Sequence, residues 1–188
     1  MKMIDDTKIK KYVKDICDIL SVDVPIILYE GDDMKKDSSA QTVYANGVYT
    51  LNITDGSTNP TDTYFVVARE VRHMWQMMND RKKYFTDYLT SPSISFEDQN
   101  AQISEIDSTA FAIYIIRKFF SLTPKIINSP ETSNLIDLRY NYIVKTYGAW
   151  LTKCKKKDLA GRYILLMKLR FGAIKCANIC YQKALDNN

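Results

Sequence analysis

Residues 66–76 read VVAREVRHMWQ and combine a helical apolar pattern with a dense set of ionisable side chains. The apolar members recur at three- and four-residue spacing: Val66, Val67, Val71, Met74 and, just beyond the stretch, Met78. This spacing predicts an amphipathic helix with one buried face. Asp62 or Thr63 is a suitable N-cap, and the pattern ends near Asp80, so we expect a helix between these residues.

The residues before this helix predict a small sheet. An amphipathic helix is expected at 5–20 and a short strand at 24–30. Residues 40–54 alternate around Asn46-Gly47, a pair that favours the positive φ angles of a tight hairpin turn.

The residues after this helix predict a helical C-terminal half. The segment 81–96 is expected to be irregular, with further helices at about 96–120, 131–153 and 158–185. The last of these carries its apolar residues on one helical stripe: Tyr163, Met167, Phe171, Ile174 and Tyr181. The order predicts an α+β fold, in which a small, mostly antiparallel sheet with a hairpin packs on a helical body.

Length and composition bound the protein class. The chain has 188 residues, 46% of them hydrophobic, which suits a single domain over 1–188 with a real core. We expect a cytoplasmic protein without membrane contacts, because charges interrupt every apolar run. The four cysteines, at 17, 154, 176 and 180, form no C-x-x-C pair and are expected to be reduced.

The only histidine, His73, restricts the possible chemistry. Any histidine-based site, whether for a metal or for an activated nucleophile, must use it. In the zinc motif H-E-x-x-H, two histidines one helical turn apart bind the ion and the glutamate is the general base. Here Glu70 and His73 have that spacing, but Arg69 stands where the first histidine would be.

Two segments of the sequence extend the pattern. They are REVRHMWQ at 69–76 and EIDSTAF at 105–111. Together they resemble the zincin metallopeptidases, in particular small bacterial and phage proteins of the glutamate-ligand (gluzincin) type. The resemblance covers about residues 25–120, as the core of a zincin-like domain with a basic helical part at about 131–186. It implies that Glu70 matches the general base, His73 and Glu105 match two zinc ligands, and Asp107 orients a ligand from behind.

Arg69 departs from that pattern in a way that bears on function. A guanidinium is always protonated, has no lone pair for a metal and repels a zinc ion nearby. We therefore expect no zinc cofactor, and an ion pair between Arg69 and Glu105 that ties the two helices together. The resulting hypothesis is a metal-free, catalytically inactive zincin-like protein that binds a protein or peptide, laid along the edge of the hairpin.

Three alternatives stay open at this point. The first is an active zinc metallopeptidase with an atypical ligand set. The second is an ordinary amphipathic helix, on which Arg69, Glu70 and Arg72 would all be solvated. The third is a nucleic-acid-binding accessory protein of a bacterial mobile element.

The third alternative rests on an uneven charge distribution. Residues 117–188 contain fourteen Lys+Arg against four Asp+Glu, whereas residues 1–116 carry a net charge of −6. The densest basic run consists of Lys153, Lys155, Lys156 and Lys157. Such a run suits either a solvated helix end or an acidic partner such as nucleic acid.

Overall fold

The computed structural model describes residues 2–3, 7–23, 26–30, 40–45, 48–53, 60–90 and 92–153. Its strands are β1 (Lys2–Met3), β2 (Ile26–Glu30), β3 (Ala40–Ala45) and β4 (Val48–Ile53). Its helices are α1 (Thr7–Leu20), α2 (Pro60–Phe85), α3 (Phe96–Asn100), α4 (Ile103–Phe120) and α5 (Pro130–Lys153). The predicted α+β fold is thus confirmed, with helices following a small sheet.

The strands form one sheet in the order β1-β2-β4-β3. Two of its three pairings are antiparallel, as expected, and β2 runs parallel to β4. The predicted hairpin is β3–β4, in which Thr42 lies opposite Leu51 and Tyr44 opposite Tyr49. Within the described residues, β3 pairs with β4 alone and is therefore an edge strand.

The core forms where the sheet and α1 meet α2 and α4. Tyr49, Leu51 and Ile53 alternate along β4 and are buried, so this face of the sheet packs on the helices. Val67 and Val71 of α2 are fully buried, and so are most residues of α4. Helix α4 lies between α2 and α5, which makes it the central helix and brings its side chains within reach of both neighbours.

Helix α2 is longer than predicted. Asp80 has a non-helical backbone (φ −157°, ψ 67°), so the expected end is a kink. The chain resumes as a helix over 81–85, because Asp80 Oδ1 accepts the backbone N–H of Lys83 at 3.2 Å and caps the new turn. Met78, predicted to be in the core, is 43% exposed, since the buried face ends before the kink.

The predicted helix at 96–120 is two helices, with a break at Ala101-Gln102. Ser95 caps α3 through a bond from the N–H of Asp98, as a serine N-cap should. At the break, the Gln102 amide bonds both backbone groups of Leu89 at 2.8 Å. This clamp ties the loop after α2 to the start of α4 and holds Tyr88 close to it.

The two ends of the chain complete the comparison between predicted and observed helices and strands. Strand β1 was not predicted, because two residues are too short to show an alternating pattern. The predicted helix at 158–185 lies outside the described residues.

Among the helices that the structure describes, none combines the length and the apolar composition that a membrane span requires.

Candidate functional site

The site lies where α2 packs against α4, beside strand β3. Arg69 and His73 are one turn apart on α2, so both face the same side of the helix. That side meets Glu105, in the first turn of α4. The Arg69 guanidinium contacts Glu105 Oε2, as predicted, and His73 Nε2 lies 3.5 Å from the same oxygen.

The other oxygen of Glu105 has a different partner. The Tyr88 hydroxyl donates a hydrogen bond to Glu105 Oε1 at 2.5 Å. The carboxylate is nearly enclosed, with 5% of its side chain exposed, whereas the Arg69 side chain is 27% exposed. We call Arg69, His73, Tyr88 and Glu105 the Glu105 cluster.

The side chain of Gln76 determines which ring nitrogen of His73 is protonated. Gln76 Nε2 donates to Ser104 O at 2.9 Å and to Asp107 Oδ2 at 2.7 Å. Both partners are acceptors, so Gln76 Oε1 must face His73 Nδ1, 2.9 Å away, and accept a proton from it. With Nδ1 protonated, His73 directs Nε2 towards Glu105, either as a lone pair or as the second N–H of an imidazolium.

A second carboxylate, Asp107, lies two residues further along α4. Arg72 binds it through two nitrogens, Nε to Oδ2 at 2.7 Å and Nη2 to Oδ1 at 3.1 Å. Arg139 of α5 donates to Oδ1 at 2.5 Å. We call Arg72, Gln76, Asp107 and Arg139 the Asp107 cluster, and Gln76 joins it to His73.

Arg72 contradicts the ordinary-helix alternative, in which it would be solvated. Its side chain is 2% exposed. Its guanidinium carbon lies 3.7 Å from the centroid of the Trp75 ring, and Nη1 donates to Tyr147 Oη at 3.0 Å. Arginine can occupy such a buried position because its planar group stacks on an aromatic ring while it pairs with a carboxylate.

Glu70, the residue that matches the general base, is bound to the sheet. Thr42 Oγ1 of β3 donates to Glu70 Oε2 at 2.7 Å. The bond places the middle of the edge strand directly beside the motif helix.

The pKa shifts follow from these contacts. Burial opposes ionisation of both His73 and Glu105, but each favours the charged form of the other. The pKa of His73 is therefore raised above 6.5 and that of Glu105 is well below 4.5. Burial likewise opposes the charge of Asp107, yet its bond from Arg72 lowers its pKa.

The cluster does not fit a zinc ion. The 3.5 Å separation of His73 Nε2 and Glu105 Oε2 suits two ligands of one ion. However, Arg69 already lies on that oxygen, so a fixed cation stands where a third ligand is needed. Among the described residues, no three His, Cys, Asp or Glu side chains form a possible metal site.

Asp107 differs from its expected role. The resemblance makes it a residue that orients a metal ligand, but it contacts His73 only through Gln76. Its direct partners are two arginines and the Gln76 amide, so it neutralises buried positive charge. The contact of Asp107 with Arg139, 32 residues later, follows from helix packing and has no signal in the sequence.

Tyr88, Thr42, Gln76 and Arg139 were not among the predicted site residues. Gln76 alone had a signal, because it stands within the quoted stretch REVRHMWQ. Of the basic run, Lys153 is the last residue of α5, whereas Lys155, Lys156 and Lys157 lie outside the described residues. A nucleic-acid partner therefore stays a prediction.

Comparisons of the chain with protein families, with curated proteins and with solved structures find no match. The case for its function thus rests on the residues and their geometry.

Proposed function

We propose that this chain is a metal-free, catalytically inactive zincin-like protein that binds an extended segment of a protein or peptide along β3. The observation that carries the proposal is the Arg69–Glu105 ion pair. It joins the residue in the place of the first zinc histidine to the residue in the place of the third ligand. The arrangement keeps the two helices of a zincin site together by an ion pair in place of a metal.

The edge strand supports the binding part of the proposal. In the described structure β3 pairs on one side only, so alternate backbone N–H and C=O groups along its other side are open to an added strand. Tyr44 is 57% exposed and stacks at 4.6 Å on Tyr49. A ligand strand beside β3 would have this ring as a contact, and Thr42–Glu70 holds β3 against α2.

The metal-free part is tested by elemental analysis of the full chain, purified without chelator, and by a peptide-hydrolysis assay. We expect far less than one zinc per chain, and equal, background hydrolysis for the wild type and Glu70→Gln. An Arg69→His variant should gain zinc, because it restores a lone pair at position 69. Stoichiometric zinc in the wild type that is lost in His73→Gln would overturn the proposal.

The binding part is tested with a displayed library of random peptides selected on the full chain. Peptides that bind β3 should slow hydrogen exchange of the backbone amides of residues 40–45. They should bind the Tyr44→Ala variant at least tenfold more weakly than the wild type. Tyr142→Ala is the matched control, since Tyr142 is 56% exposed but lies on α5. Failure to enrich any peptide, or equal loss in both variants, would contradict binding at β3.

A further inference from the structure

Exposed apolar side chains form a stripe along α5, beside α4. Leu135, Leu138 and Tyr142 are 47%, 68% and 56% exposed. Together with Ile103 and Ile106 of α4 they line an open groove of about 400 Å³. A contiguous exposed apolar surface of this kind is typical of a face that another protein segment covers.

The stripe ends in a charged residue on either side. Glu131 precedes Leu135 by four residues and Lys145 follows Tyr142 by three, and both charged side chains are exposed. Positions 131, 135, 138, 142 and 145 therefore alternate in steps of four and three residues. Residues at that spacing stay on one side of a helix, and this is the pattern through which two helices pack along their length. We call these five residues the α5 stripe.

The α5 stripe is complementary to itself when its direction is reversed. Leu138 is its centre, with Glu131 seven residues before it and Lys145 seven residues after it. An antiparallel second copy of α5, centred on Leu138, therefore brings Glu131 level with Lys145 of that copy, and the pair occurs twice. Leu135 and Tyr142, three and four residues from the centre, also become nearly level. A parallel copy would instead place like charges side by side at both ends.

We propose that this face is the interface of a two-fold symmetric homodimer, in which the α5 stripes of two copies pack antiparallel about Leu138. A two-fold axis makes a surface patch meet the same patch on its partner, so complementarity on reversal is the property that such an interface needs. The partner is thus a second copy of this chain. This inference does not depend on the function proposed above, because β3 packs on α2 whereas α5 packs on α4.

The dimer would also cover part of the Asp107 cluster. Arg139 lines the groove, and its guanidinium carbon lies 4.6 Å from the centroid of the Tyr142 ring. It is the more exposed of the two arginines that bind Asp107, at 23% against 2% for Arg72. A second copy packed over Tyr142 removes water from the outer side of Arg139, so dimerisation closes the cluster.

Sedimentation velocity of the full chain tests the proposal. We expect a monomer–dimer equilibrium, and Leu138→Asp should weaken dimerisation at least tenfold, because two carboxylates would meet at the axis. Ile127→Asp is the matched control, since Ile127 is 85% exposed but precedes α5, and it should leave the dimer unchanged. A wild type that stays monomeric up to about 100 µM, or equal weakening by both variants, would overturn the proposal.

An exchange of charges guards against a change of fold in a single variant. Glu131→Lys and Lys145→Glu should each weaken dimerisation at least threefold at low salt, because like charges then meet. The double variant should regain the wild-type dimer. Both changes oppose the dipole of α5, so recovery can come only from the restored pairs between copies. A double variant that dimerises no better than either single variant would overturn the proposal.

Cross-linking identifies what covers the α5 stripe. Leu138→Cys should form a disulfide with the same residue of a second copy under oxidised glutathione, identified by peptide mapping. Asp137→Cys is the control, because adjacent residues of a helix point about 100° apart, and we expect its bond to form at least tenfold more slowly. Equal rates would overturn the proposal. A faster disulfide from position 138 to a native cysteine of the same chain would also overturn it, because another segment of that chain would then cover the stripe.

Discussion

Glu105 and Asp107 lie two residues apart on α4, and both are buried carboxylates held by α2, but their surroundings differ. Asp107 accepts from two guanidiniums and an amide, and its main partner, Arg72, is as enclosed as Asp107 itself. Glu105 has one guanidinium, which is partly exposed, together with a histidine and a tyrosine. The Asp107 cluster is thus an internal support, whereas the Glu105 cluster reaches solvent beside an edge strand.

The difference shows how a solvent-reaching charge cluster is combined with an enclosed one on the same pair of helices. Buried charges are tolerated only when they are paired and hydrogen-bonded, and the Asp107 cluster meets that condition with four hydrogen bonds to the carboxylate among residues of three helices. The Glu105 cluster is less enclosed, so its charges are better screened by water. We therefore expect changes to the two clusters to have unequal costs.

The largest effect is expected for Asp107→Asn. The amide cannot accept from all the donors around it, and Arg72 would remain buried without a counter-charge. We expect a loss of about 3–5 kcal/mol in the free energy of unfolding, measured with urea. A double variant, Arg72→Met with Asp107→Leu, should recover most of that loss. A loss below about 1 kcal/mol for Asp107→Asn would show that the cluster is not a support.

A smaller loss is expected for the matched change in the other cluster, Glu105→Gln. The amide still fills the space, and water can solvate the exposed part of Arg69. We expect a loss of about 1–3 kcal/mol by the same measurement. Equal losses for the two variants would contradict the distinction between the clusters.

The contribution of Tyr88 should be smaller again. Tyr88→Phe removes one hydrogen bond to a charged group, for which we expect a loss of about 1–1.5 kcal/mol. Tyr84→Phe is the control, since the Tyr84 hydroxyl accepts a longer bond of 3.2 Å from Arg139. A greater loss for Tyr84→Phe would indicate that the loop clamped by Gln102 contributes little to the Glu105 cluster.

The titration of His73 is expected to change the free energy of unfolding least, measured as the change per pH unit. Its pKa is higher in the folded chain than the unfolded value of about 6.5, so the stability that it adds is fully present below pH 6.5. That stability is lost as the pH rises through the folded pKa, with a slope of at most about 1.4 kcal/mol per pH unit. Glu105 has the opposite sign, and its contribution is lost as the pH falls below about 4.5.

Urea unfolding at a series of pH values between about 5 and 8 measures this slope. Glu105→Gln is the control, because the Glu105 carboxylate does most to raise the pKa of His73, and Glu70 adds a smaller contribution. A wild-type slope above pH 6.5 that persists unchanged in Glu105→Gln would assign the effect to another group.

The sequence pattern predicted much of the fold and part of the site. The spacing of Val67, Val71 and Met74 predicted α2, and Asn46-Gly47 predicted the hairpin, because both are local signals. Position 69 was singled out as a departure from a familiar spacing, and its pairing with Glu105 was expected from the resemblance to zincins together with the opposite charges of the two side chains. The helical backbone breaks at Asp80, where the pattern ends, but the further helical turn over 81–85 was not predicted, because a side-chain cap starts it.

What the sequence alone determined are the features that neighbours along the chain specify: the periodic faces, the strands of the hairpin and the position of Arg69 one helical turn before His73. The tertiary structure alone decided that Arg72 is buried, and that Tyr88 and Arg139 complete the two clusters. The reason is that these contacts join residues 17 to 35 positions apart. Such pairs come together only when α2, α4 and α5 pack, and no local pattern records which side chain will meet a buried carboxylate.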